Sequence, residues 1–187
     1  MPSLTARERE EYRALRATIR ERGTARVWIF VVGLALWAAL VVAVAALASL
    51  PVATLLPLLF LTGVFEAVFA LHTGVERVGR YVQVFYEENR DGESSTRTWE
   101  QVAMNFGRVS PGRGVDALFV HIFVLATVVN LVPAVLAGAV VEEWAVLGVV
   151  HALFIGRLVV ARRLAAKQRA LDLDAFRKLK ESSVVNG

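Results

Sequence analysis

The chain has 187 residues, 56% of them hydrophobic, with 21 Lys and Arg against 17 Asp and Glu and no cysteine. A mean hydropathy of +0.54 and several apolar runs near the ~20 residues that a spanning helix needs exclude an ordinary soluble domain. Disulfide and thiolate chemistry are excluded with the cysteines, and the polar segments are too short to bury separate cores.

Residues 1–26 are predicted to form an amphipathic helix on the cytoplasmic surface, with Tyr12, Leu15 and Ile19 on one face. That face suits either lipid or the other cytoplasmic helices, and packing on those helices is the preferred expectation. A cleaved leader is not expected: four acids stand among the arginines before residue 27, and the apolar run that follows is too long.

Four spans are predicted, at about 27–50, 52–71, 115–138 and 144–162, forming a membrane domain over 27–162. The fold class is all-α: an integral membrane four-helix bundle with amphipathic cytoplasmic helical extensions. Trp28 and Trp144 stand at the two interfaces. In the first span Ala35, Ala39 and Ala43 recur every four residues, and in the fourth Gly148, Ala152 and Gly156 do the same. Small residues at that spacing let helices approach closely in lipid, within the chain or between copies.

The stretch 57–90 reads as one helix that leaves the membrane and continues into water. Beyond His72, Val75, Val78, Val82 and Phe85 keep a coiled-coil spacing, Glu76 and Arg80 form a favourable pair, and Arg77 and Tyr81 are placed to stack. The cytoplasmic segment 73–114 continues with a capping box at Thr98 and Gln101. Trp99, Val102 and Phe106 then form a face for the inner leaflet, and a turn at 110–114 leads back into the membrane. In the third span Pro133 removes the donor for the Val129 carbonyl, which predicts a kink, and Asn130 is placed to bond another helix. Residues 163–187 form a cytoplasmic helix with Leu164, Leu171, Phe176 and Leu179 on its apolar side, fraying from Ser182.

All 21 basic residues lie before the first span, between the second and third, or at and beyond the inner end of the fourth. The positive-inside rule therefore puts both termini and the middle segment in the cytoplasm. That distribution accounts for a pI near 10.0 without nucleic acid, and it favours a bilayer with anionic headgroups as partner.

Ionisable groups inside spans are costly, so each is a functional candidate. They are Glu66, His121, His151 and Arg157, with Thr62 on the face of Glu66 and His72 at the inner rim. The leading expectation is an ion pair of Glu66 with Arg157, or Arg157 reaching the inner headgroups while Glu66 keeps its proton. The competing one is a proton or cation relay through Glu66 and the histidines. A metal site of Glu66, His121 and His151 lacks any short ligand spacing, and a Ser110, Asp116 and His121 hydrolase set lacks a nucleophile motif. No catalytic residue, metal or cofactor is assigned.

The run His72…Glu76-Arg77…Gly79…Tyr81…Glu87, followed by Trp99-Glu100, resembles a pattern in uncharacterised bacterial four-span inner-membrane proteins. Residues 11–16, Glu-Tyr-Arg-Ala-Leu-Arg, are similar to the start of the same proteins. The resemblance spans roughly the first hundred residues and implies a multi-pass protein of the bacterial inner membrane, with no activity attached. The expected function is non-enzymatic: a membrane interaction or scaffold protein, oligomeric or bound to a cytoplasmic protein. The alternative is a small proton- or cation-conducting transporter or channel using Glu66.

Overall fold

A computed structural model describes residues 5–47, 49–88 and 115–185, without the side chains of 115–119 and 183–185. The capping box at Thr98 and Gln101, the face of Trp99, Val102 and Phe106, and the turn at 110–114 lie outside the described residues, as do the side chain of Asp116 and Ser110. Among those described there is no strand. The elements are α1 (Ala6–Leu47), a 3-10 turn (Pro51–Thr54), α2 (Leu55–Val82), a π-helical turn (Gln83–Glu87), α3 (Val115–Val129), α4 (Val132–Leu136) and α5 (Val141–Val185). Three helical stretches, Ala6–Leu47, Pro51–Glu87 and Val141–Ser182, are long and apolar enough to cross a membrane. The chain is an all-helical, membrane-associated protein.

The helix ends follow local chemistry. Thr5 and Glu8 form a reciprocal capping box at the start of α1: the Thr5 amide donates to Glu8 at 2.7 Å and the Glu8 amide donates to Thr5 Oγ1 at 3.3 Å. Nothing interrupts α1 at Gly23, so the expected surface helix and the first apolar run are one element. The apolar run expected as the third span is broken rather than kinked. Pro133 has no N–H for the Val129 carbonyl, and the chain turns at Asn130 and Leu131, where the Leu131 amide reaches back three residues to Val128 at 3.1 Å. Pro133 then sits in the first turn of α4. Gly138, at φ 69°, ends α4 in a left-handed cap with amide bonds from Gly138 to Val135 and from Ala139 to Ala134, both 3.2 Å. Glu143 accepts from the Val140 amide at 3.0 Å and starts α5.

The described chain divides into two compact units, and α1, α2 and α5 contribute to both. The apolar unit comprises 26–70 and 115–163. Its core is Trp37 and Val41 of α1, Leu58, Leu61, Phe65 and Val68 of α2, Phe123 of α3, and Phe154 and Leu158 of α5. Phe65 is the hub, edge-on to Phe123 at 5.3 Å and to Phe154 at 6.0 Å. The buried face of α1 is Gly33, Trp37 and Val41, while Ala35, Ala39 and Ala43 are exposed. The close approach belongs to Gly33: a Cβ there would stand 2.6 Å from Val64 Cγ1. Gly148, Ala152 and Gly156 are exposed, and a Cβ added at Gly148 or Gly156 meets nothing within 4 Å, so among the described residues this series forms no close helix contact.

The charged unit comprises the described parts of 1–25, 71–114 and 164–187. Its buried positions differ from the coiled-coil spacing read in the sequence. Gly79, Arg80, Val82, Val84, Tyr86 and Glu87 are buried, whereas Val75, Val78 and Phe85 are only half-buried. The π-helical turn at Gln83–Glu87 winds wider than an α-helix and takes the residues within and after it off a 3.5-residue seam, while upstream of it the covered face is that of Gly79 and Arg80 rather than that of Val75 and Val78. On α5 Leu173 is buried against this unit, and Leu164, Leu171 and Leu179 face outward.

Candidate functional site

Arg157 Nη2 donates to Glu66 Oε2 at 2.8 Å, joining α5 to α2. The guanidinium also lies over the rings of Phe69 and Phe65, at 5.5 and 5.9 Å from their centroids. The two side chains keep 37% and 42% of their surface exposed, so the pair sits at an edge of the apolar unit rather than in its core. Thr62, one turn away on the same face as Glu66, gives its hydroxyl proton to the Leu58 carbonyl at 2.9 Å and satisfies itself within its helix.

His151 is separate from that pair and belongs to a buried neutral network. Its Nδ1 stands 2.7 Å from the Leu147 carbonyl, which can only accept, so Nδ1 carries the proton. Its Nε2 is then a lone pair, 3.1 Å from Nδ2 of Asn130, which donates to it. The second Nδ2 proton of Asn130 goes to the Thr54 carbonyl at 2.9 Å, and its Oδ1 accepts from Trp37 Nε1 at 3.1 Å. Each N–H of Trp37, Asn130 and His151 meets an acceptor, whereas the buried Thr54 hydroxyl beside them has no partner among the described residues, and one amide at the α3–α4 break ties together α1, the 3-10 turn and α5. Both ring nitrogens of His151 are engaged in hydrogen bonds to protein groups in this arrangement.

The remaining candidates are scattered. His121 is exposed on α3. His72 lies in the charged unit, with Nε2 3.8 Å from Glu76 one turn along α2. Among the described residues no three His, Asp or Glu side chains converge in a manner that would hold a metal ion. Of the six polar residues singled out in the sequence, the structure pairs Glu66 with Arg157 and sets Thr62 beside Arg157 on one groove, while His72, His121 and His151 lie apart from them.

The most densely charged site is in the charged unit. Arg80, 1% exposed, donates to Glu76 at 3.3 Å and to Asp172 of α5 at 2.7 Å. Arg169 also bonds Glu76, Gln168 bonds Asp172 at 3.0 Å, and Arg77 lies 3.6 Å from Asp172. Burial works to raise the Asp172 carboxyl pKa, but the bonds from Arg80 and Gln168 and the charges of Arg80 and Arg77 together hold it below the ordinary value. Two further ties flank this centre: Arg16 lies 4.0 Å from the buried Glu87, and Arg177 bonds Glu88 at 2.8 Å. Tyr12 and Tyr86 meet at 5.6 Å between ring centroids, and the Tyr81 hydroxyl donates to Glu11 at 3.3 Å. Burial and Glu11 push the Tyr81 and Tyr86 hydroxyls up from the usual phenol range. The Glu76–Arg80 spacing was visible in the sequence. Asp172 was not, because nothing local separates it from any other acid on a charged helix.

No protein family, curated protein or solved structure matches the chain.

Proposed function

We propose that this is a four-span protein of the bacterial inner membrane, with α3 and α4 together making the third crossing and both termini on the cytoplasmic side. In this reading the charged unit is a cytoplasmic interaction module: the protein is a non-enzymatic scaffold whose α5 extension meets a second copy or a cytoplasmic protein. The distribution of Lys and Arg supports the orientation.

The observation that carries the interaction reading is the outward row on α5. Leu164, Leu171 and Leu179 are 53%, 64% and 59% exposed on a helix that carries Lys, Arg, Asp and Glu on its other faces. Apolar side chains grouped on a charged helix mark a contact surface. Against the transport alternative stand the cation already held on Glu66 and the two engaged nitrogens of His151.

The chain has no native cysteine, so Leu171→Cys can be cross-linked in intact membranes. A discrete higher-mass product is expected, and Leu171→Asp should dissolve the same complex without lowering thermal stability in detergent. Two results together would reverse the reading: no discrete product from Leu171→Cys, and a proton or cation flux in reconstituted vesicles that Glu66→Gln abolishes while the fold survives.

A further inference from the structure

We infer that the groove between α2 and α5 in the apolar unit holds the acyl chain of a membrane glycerophospholipid, with an oxygen of its head region seated on Arg157. The inference rests on the reading that α2 and α5 cross a bilayer. The groove has a volume of about 420 Å³ and is walled by Leu55, Leu59 and Thr62 of α2 and by Val150, Phe154 and Arg157 of α5. That volume lies within the ~300–1,000 Å³ of small-molecule sites.

Its chemistry specifies the occupant. Apart from one end the walls are hydrocarbon, and inside a bilayer a hydrocarbon groove is filled by lipid chain, since no water reaches it. The polar end is built by Arg157 and Thr62, whereas Glu66 is not one of its walls. Among the described residues Arg157 uses one of its N–H groups, on Glu66, and Thr62 spends its hydroxyl proton on Leu58. The end of the groove therefore offers guanidinium donors to an acceptor oxygen, as an ester carbonyl or phosphate provides. Phe65 and Phe69 back the guanidinium and hold it in place.

Depth agrees. Arg162 and Arg163 form the basic pair at the inner headgroups, and at ~1.5 Å per residue Arg157 lies about 7.5 Å further in. That is the level of the glycerol esters of a lipid whose phosphate sits near Arg162. Its chain would run along the groove toward Leu55.

The test is photolabelling of the full-length protein in vesicles containing a phosphatidylglycerol with a diazirine in mid-chain, with labelled residues mapped by mass spectrometry. Leu55, Leu59, Val150 and Phe154 should be labelled several-fold more than Val149 and Leu153, which are exposed at 59% and 69% on the same helix. Val150→Trp, which fills the groove, should remove labelling at Leu55. Val149→Trp, on the outward face, should not. Leu59→Trp, on the exposed wall, is a second filler should Val150→Trp lower thermal stability. Labelling spread evenly over groove and outward residues, or unchanged by either filler, would overturn the groove. Labelling displaced by a free fatty acid but not by excess phospholipid would overturn the assigned ligand. Labelling absent from Val149 and Leu153 as well as from the groove would instead refute the bilayer crossing on which the inference rests.

Discussion

Arg80 in the charged unit and Asn130 in the apolar unit fill the same structural role with opposite chemistry. Each is fully buried, and each bonds partners far away in the chain. Around Arg80 the partners are carboxylates shared among several guanidinia; around Asn130 they are a carbonyl, an indole and a neutral imidazole. The difference teaches that the surrounding medium selects the glue. A charge cluster is tolerable where water reaches its rim, as it does at Arg77, 61% exposed. In an apolar unit each charge carries a desolvation cost, so neutral donors and acceptors are the cheaper tie.

The comparison can be broken most forcefully at Arg80. Arg80→Met leaves Asp172 and Glu76 short of their central cation, and removing one partner of a buried pair costs about 3 kcal/mol or more. Hydrogen exchange should accelerate in 71–87 and 164–182 while 26–70 and 141–163 keep their protection. Adding Asp172→Leu should recover much of the loss, because Glu76 retains Arg169. A uniform loosening of both units would mean that the charge network is not local to one of them.

A neutral counterpart is smaller. Asn130→Leu deletes three bonds to separate elements, each worth on average about 0.6 kcal/mol in a membrane setting, for a loss of roughly 2 kcal/mol in detergent thermal melts. Trp37→Phe, which removes one of the three, should cost a fraction of that. If Trp37→Phe costs as much as Asn130→Leu, the indole acts through packing and the amide network is incidental.

Acid gives the mildest and most selective contrast. The Asp172 carboxyl is held below its ordinary value of 3.8, so its stabilising contribution is present above that pH and is lost as the pH falls through the depressed value. Lowering the pH from 5 toward 3 should loosen 164–182 before the neutral network around Asn130, read again by hydrogen exchange. Asp172→Asn should remove that part of the acid sensitivity. Simultaneous loosening of both regions would assign the effect to other groups.

The apolar runs, the absence of strand signals and the placement of every Lys and Arg are properties of residues near one another in the chain. They were sufficient for an all-helical, membrane-associated protein, for a helix running on past His72, and for a disturbance at Pro133, read as a kink where the structure has a break. The Glu66 and Arg157 candidates followed from the cost of charge in an apolar run, which is also local. Which face of a helix is covered is not a local property. Ala35, Ala39 and Ala43 have the spacing of a contact and are exposed, while Gly33, two residues away, is seated on Val64. Leu171 has the hydrophobicity of a core residue and faces outward, while Arg80 is interior because Glu76 and Asp172 surround it. Nor does the sequence register that Trp37, Thr54, Asn130 and His151 share one set of protons. Periodicity ranks the faces of one helix against each other, but burial and hydrogen-bond matching depend on partners 21 to 93 residues away, and those the tertiary structure alone brings within reach.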